Sequence, residues 1–205
     1  MMNQMAPTKA NLIKSKSMLE FSIMGFELLD KKRNVLIREM MGLVSHAEKI
    51  EKDIETIFKE TYDALINANI TMGSSTVEEI AMSIPKDENF RRLSKSVMGV
   101  EIPLIKYEKQ KDQVTYGFFR TNASLDTAVT KMNTLKILMY ELAEVENSVY
   151  RLAMEVKKTG KRANALDKIQ IPKYRELAKY IEEVLEEKER EDFFRLKKVK
   201  KKTKR

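Results

Sequence analysis

The stretch that decides the fold is LLDKKRNVLIREMMGLVSHAEKIEKDIETIFKETYDALINA, Leu28 to Ala68. Within it Leu29, Arg33, Leu36, Met40, Leu43, Ala47, Ile50, Ile54, Ile57, Thr61, Ala64 and Ala68 step alternately by four and three. All but Arg33 and Thr61 are apolar. The stripe is too narrow for a helix lying on a globular core and suits the seam of a coiled coil. Such a helix needs a partner.

Working outward, the same pattern returns at Leu138, Leu142, Val145, Val149, Leu152, Val156, Thr159, Ala163 and Leu166. Between the two seams the helix breakers cluster: Gly73, Pro85, Gly99, Pro103 and Gly117. The chain must therefore turn back, and the two seams pair antiparallel. The predicted fold is mainly α: a long antiparallel two-helix coiled coil from the N- and C-terminal helices, with a small middle segment. The predicted divisions are 1–70, 71–119 and 120–205.

In the middle segment, SSTVEEIAMSIP reads as a short helix with Ser75 as N-cap and Glu78 three residues on. SVMGVEIPLIKYE and QVTYGFF read as the strands of a β-hairpin around EKQKD, with Pro103 confining the first to an edge or bulge.

At 1.5 Å per residue the two helices span roughly 95 and roughly 120 Å, so the second should project past the first at the terminal end. There Glu186 to Arg190 and Glu191 to Arg195 are i,i+4 pairs that support a helix without a partner. One irregularity is predicted. Pro172 offers no N–H to the Lys168 carbonyl and clashes with that turn, which implies a kink or break. Ile171 is biased toward extended backbone. The seam falters at Gln170 and Lys173 and is expected to resume at Leu177, Tyr180 and Val184. Ala163 and Ala165 allow close helix approach beside it, with Lys161, Arg162 and Asn164 pointing outward.

Composition narrows the function. The chain has no Cys, which excludes disulfides and thiolate metal sites and weakly fits a reducing compartment. No apolar run approaches the ~18 residues of a membrane span, and the start lacks the core of a signal peptide. A soluble protein is expected, with no membrane insertion. The single His46 cannot make a transition-metal site and reads as an exposed or seam-flanking histidine. No P-loop or catalytic triad is present, so no catalytic residue, cofactor or metal is expected. The thirteen methionines read mostly as core filler, with Met40, Met132 and Met139 on the seams. Arg33 either packs its stem while its head reaches solvent, or makes a register or partner contact.

The formal net charge of +8 is concentrated at one end, because RLKKVKKKTKR (195–205) holds eight basic residues and no acid. A basic tail can meet nucleic acid, an anionic membrane or an acidic protein. It lacks interleaved aromatics and the chain lacks a recognition motif, so nucleic acid is not the expected partner.

KRANAL followed by IP, then KYIEEVLEEKEREDFFRLKKVK, closely resembles the C-terminal signature of the D subunit of V/A-type rotary ATPases. PTKANLIKSK, Gly25, LLDKKRNVL and Glu39 resemble that family's opening helix, and VMGVEIP its central segment. Met24 departs from the pattern, which has a basic residue before the glycine. The resemblance implies a central-stalk rotor that couples ATP hydrolysis or synthesis to ion transport, without catalysing the chemistry itself. Its implied partners are the catalytic-head A and B subunits, the small F subunit of the stalk and a membrane-ring adaptor subunit. Its implied place is the cytoplasmic side of the membrane, peripheral. Candidate partner contacts are then Gly25, Lys31, Lys32, Arg33, Lys161, Arg162, Asn164, Arg190, Phe194 and Arg195. The competing reading is a stand-alone coiled-coil scaffold, or a tether on an anionic membrane surface.

Overall fold

The computed structural model describes residues 5–84, 90–107 and 116–203. Helix α1 (Lys9–Met72) is followed by α2 (Ser74–Ser83), strands β1 (Phe90–Val97) and β2 (Val100–Tyr107), a 3₁₀ turn (Phe118–Arg120), α3 (Ala123–Ala165), a π turn (Leu166–Gln170) and α4 (Ile171–Thr203). The fold is mainly α, with long N- and C-terminal helices and a small middle holding a short helix and a two-stranded antiparallel hairpin. Two compact units divide the chain: Met1–Asn34 with Val156–Arg205, and Val35–Glu155.

In the second unit α1 and α3 run antiparallel. His46 Nε2 lies 3.2 Å from Glu141 Oε1, Lys131 Nζ lies 3.1 Å from Glu60 Oε2, and Asn122 Nδ2 donates to Thr71 Oγ1 at 2.7 Å. Leu36, Ile50 and Ala68 are buried along one helix, and Leu125, Ala128, Leu135, Val145 and Leu152 along the other. Met40 is half-buried as expected, but Met132 and Met139 are exposed, so the α3 stripe runs through Leu135 and Leu138 instead. The buried Thr61 and Ser148 return their hydroxyls to the carbonyls of Ile57 and Glu144, which satisfies them without a cross-helix partner.

Helix α1 stops at Gly73, whose φ of +84° places it in the left-handed region that glycine adopts freely. The same Gly73 is the N-cap of α2, with no side-chain cap hydrogen bond, so Ser75 sits inside the helix rather than capping it. Helix α3 is capped by Asn122, whose Oδ1 accepts from the Leu125 N–H at 3.2 Å.

The hairpin differs from the sequence expectation. Its turn is Met98–Gly99, both at positive φ (51° and 81°), the geometry of a two-residue hairpin turn that matches strand twist. The turn therefore falls inside SVMGVEIPLIKYE, whose strand pairs with the upstream FRRLSKSV, from Val97 with Val100 to Phe90 with Tyr107. The expected turn EKQKD lies outside the described residues, and Tyr116–Phe119 form a bend and 3₁₀ turn instead of a strand. Strand β2 docks edge-on against α3: the Ile105 N–H donates to Glu144 Oε2, and Arg151 Nη1 donates to the Glu101 carbonyl at 2.9 Å. The Phe90 and Tyr107 rings lie 5.6 and 5.9 Å from that of Tyr140.

Tyr116 donates its hydroxyl to Asp126 Oδ1 at 2.7 Å. Burial first, then this hydrogen bond and the carboxylate charge, push the phenol up to about 12. The folded chain thus favours the neutral phenol. Its stabilising contribution is complete below the ordinary tyrosine value near 10 and is lost as pH rises through about 12. An ultraviolet titration should show a late-ionising tyrosine, and Tyr116→Phe should remove that step.

In the first unit the pairing is again antiparallel. Lys9 Nζ meets Glu189 Oε1 at 2.9 Å and Lys16 Nζ meets Glu182 Oε1 at 2.7 Å. A Cβ built on Gly25 would lie 3.5 Å from Leu166 Cδ1, and one on Gly160 3.8 Å from Arg33 Cδ. The seam extends toward the N-terminus through Ser15 and Ser22, small buried polar residues that a count of apolar positions passes over. Ser22 bonds back to the Met18 carbonyl at 2.7 Å, whereas Ser15 Oγ finds no hydrogen-bond partner among the described residues. Ser15→Ala should therefore stabilise the protein, by about 1 kcal/mol, read as a higher urea midpoint at unchanged slope.

The irregularity at Pro172 is a π turn, not a break. The Ile171 N–H bonds to the Leu166 carbonyl, and Ile171 is helical (φ −60°, ψ −51°) in spite of the proline that follows. A π turn holds one residue more than the α-helix it interrupts, so everything beyond it moves one place in register. The buried positions of α4 are accordingly Ile171, Ala178 and Ile181, and Tyr180, expected on the seam, is 54% exposed. Ile171 and the half-buried Tyr174 stand where Gln170 and Lys173 would have fallen, which repairs the faltering seam. Ala163 is fully buried, while Ala165 is exposed and takes no part in the close approach.

Candidate partner-binding surface

All ten candidate contact residues belong to the first unit. They separate into an inward and an outward set. Gly25 faces Leu166 within the unit, and a Cβ there would make only ordinary van der Waals contact with it. Arg33 is half-buried, with its stem beside Gly160 and Nη2 at 2.6 Å from Asp30 Oδ1. Its head thus lies one helical turn from a carboxylate of the same helix. Lys32 is half-buried. Lys31, Lys161, Arg162 and Asn164 are exposed, the last three on the turn of α3 that precedes the π turn.

The outward set is densest on α4. Among the described residues the outermost ion pair joining the two helices is Lys9–Glu189, and every residue from Glu186 to Thr203 is exposed. Beyond Glu189 the helix runs on, exposed, for roughly 20 Å. It is held by its own side chains. Arg190 lies 3.8 and 3.5 Å from the carboxylates of Glu186 and Glu187, and Arg195 lies 3.3 and 3.7 Å from those of Glu191 and Asp192. The expected i,i+4 pairs are both formed.

Past Arg195 the charge changes character. Lys197, Lys198 and Lys200–Lys202 have no acidic residue following Asp192 on the chain to neutralise them. Their cations complement the carbonyl end of the helix dipole. Among them Phe193, Phe194, Leu196 and Val199 are exposed, with the two phenyl centroids 6.3 Å apart. Phe194 is legible in the sequence as a contact candidate; Phe193, Leu196 and Val199 are not among the expected contacts. A signal for the last exists, because the seven-residue repeat of Ala178 and Leu185 continues onto Val199, while Leu196 lies one place off it. Chemically this end can grip apolar side chains and carboxylates or carbonyl oxygens at once. Among the described residues there is no group of three or more His, Asp or Glu able to hold a metal ion, and no helix long and apolar enough to cross a membrane.

Residues 11–201 match the protein family of ATP synthase D subunits. The chain is 44% identical over 200 residues to the V-type ATP synthase D subunit of Thermotoga neapolitana, covering 98% of each. It is 35% identical over 197 residues to the A-type ATP synthase D subunit of Pyrococcus abyssi, covering 95% of this chain and 92% of that one. With the A-type D subunit of Methanopyrus kandleri it shares 36% identity over 196 residues, covering 95% and 84%. A match spanning both long helices, the hairpin and the projecting end has one meaning: the chain belongs to the family of ATP synthase D subunits.

Proposed function

We propose that this chain is the central rotor shaft of a V/A-type ATPase or ATP synthase, coupling ATP hydrolysis or synthesis in a catalytic head to rotation of a membrane ring and ion transport. The observation that carries this reading is the full-length likeness to the D subunits of V-type and A-type ATP synthases. The physical form of the first unit supports it. Torque needs a stiff body, and two helices sharing a continuous seam resist shear. Directional coupling needs asymmetry, and the π turn with the single-helix end makes each face of the shaft different.

In this role the chain is a non-catalytic subunit on the cytoplasmic side of the membrane. The exposed end of α4 and the Lys161–Asn164 turn meet the A and B subunits of the head, while the F subunit and a membrane-ring adaptor bind elsewhere on the chain. The test is reconstitution with the A, B and F subunits, followed by size exclusion and an ATPase assay. One copy of this chain per head with altered ATPase turnover is expected. Elution of the chain alone, with binding to anionic liposomes that weakens with salt, would replace the rotor by a surface tether.

A further inference from the structure

We propose that the open edge of β1 is a docking site for an acidic extended strand of a partner protein. The inference rests on the hairpin alone and not on the rotor reading. In an antiparallel pair, residues alternate between those that exchange ladder hydrogen bonds and those whose N–H and C=O point away from the partner strand. On β2 the Ile105 N–H and the Glu101 carbonyl both point away from β1, because both bond to α3 side chains. Parity then places Pro103 among the outward residues, where its missing N–H costs no ladder bond. Their partners on β1 are Phe90 to Tyr107, Arg92 to Ile105, Ser94 to Pro103 and Ser96 to Glu101. These four β1 residues therefore direct their backbone groups to the opposite edge.

That edge is presented to solvent. The first seven residues of β1 are exposed, and the register runs through all eight pairs without a bulge. Natural edge strands are blunted by brevity, bulges, proline or charge. Here the proline lies on the strand whose edge α3 covers, and β1 carries only charge. Its charge is wholly cationic, and Arg92 and Lys95 offer it to solvent on opposite faces. A second copy of β1 would bring like charges together, whereas a strand bearing Asp or Glu would find complementary ones. The charge thus works against self-pairing and for an acidic partner. Ser94 and Ser96 have short side chains that leave room for a strand to approach, and the exposed Phe90 and Leu93 supply apolar contact on the two faces. Main-chain bonds would give affinity and the cations selectivity.

The experiment uses the isotopically labelled full chain with two synthetic peptides as long as β1, one alternating Glu and Val, the other alternating Lys and Val. Amide exchange is followed by nuclear magnetic resonance. The acidic peptide should slow exchange at Arg92, Ser94 and Ser96 by about tenfold or more when saturating, and the basic one should not. Ser94→Pro removes an outward N–H without touching the ladder. It should weaken the acidic peptide about tenfold while the Val97–Val100 pairing persists. Arg92→Glu with Lys95→Glu should reverse the preference between peptides. No binding at concentrations up to about millimolar overturns the proposal, as do equal binding of both peptides or binding that leaves the three amides unprotected. Protection of the same amides in the free chain, rising with its concentration, would assign the edge to a second copy and overturn it equally.

Discussion

Deleting Lys168 together with Pro172→Ala should leave the melting temperature within a few degrees of the parent, whereas deleting Glu176 alone should lower it by about 10 °C. The contrast follows from the π turn. A deletion within Leu166–Gln170 converts five residues of π geometry into one ordinary α turn, and the helices before and after keep their alignment. Ala163 stays on the seam upstream, and Ile171, Ala178 and Ile181 stay on it downstream. Pro172 must change as well, since in a straight α-helix its ring meets the carbonyl four residues earlier, a clash of about 3 kcal/mol. Deleting Glu176 has no bulge to absorb it. The positions of Ala178, Ile181 and Leu185 pass to Lys179, Glu182 and Glu186, and three charges enter the seam. Burying even one such group unpaired costs several kcal/mol. Thermal melts followed by circular dichroism decide the matter; equal losses in the two deletions would mean that the π turn is not what keeps the seam in register.

The second large effect is functional. Replacing Lys161, Arg162, Arg190 and Arg195 by alanine should lower coupled turnover in the reconstituted complex by roughly an order of magnitude, with helicity and melting nearly unchanged. The structural side of this expectation is visible in the ion pairs. Those of Arg190 and Arg195 are solvent-exposed and lie within one helix, so their loss costs a few tenths of a kcal/mol each. Against a partner that excludes water, each charge-assisted hydrogen bond is worth about 1.5–3 kcal/mol. The two readouts therefore separate a contact role from a folding role. Unchanged coupling in the quadruple variant would remove these four residues from the proposed interface. A fall in coupling matched by a fall in melting temperature would assign them to the shaft instead.

The paired helices are legible in the sequence because their signal is redundant. A repeat of three and four carried by more than twenty positions survives a few polar exceptions such as Arg33 and Thr61. Local devices carry no such redundancy. The lapse at Gln170 and Lys173 announces a fault at Pro172, but a kink and an inserted residue look alike until the buried side chains are known. Only Ile181 buried beside an exposed Tyr180 distinguishes them. Ser15 and Ser22 give no signal because their burial depends on how closely the helices approach, not on hydrophobicity. The hairpin turn is hidden because Met98 carries no turn preference of its own. Its left-handed backbone is imposed by Gly99 beside it and by the eight-pair ladder, whereas EKQKD is polar enough to pass for a turn. At the candidate surface, length alone foretells the projecting end of α4. Which apolar side chains it bares depends on a register that the π turn has already moved.

The lone stretch of α4 beyond Glu189 also bears on how the molecule yields to a sideways push. The bending rigidity of a rod climbs steeply with its cross-section, so two helices locked side by side are several times harder to flex than either one continuing alone. A lateral force on the tip would be taken up as curvature within the last few turns, and little of it would reach the paired body as tilt. Among the described residues Arg190 and Arg195 bond to their own helix, which lets that curvature develop without breaking a bridge from them to α1. Within the first unit the end behaves as a cushioned tip, yielding to an uneven wall while the paired helices behind it keep their line.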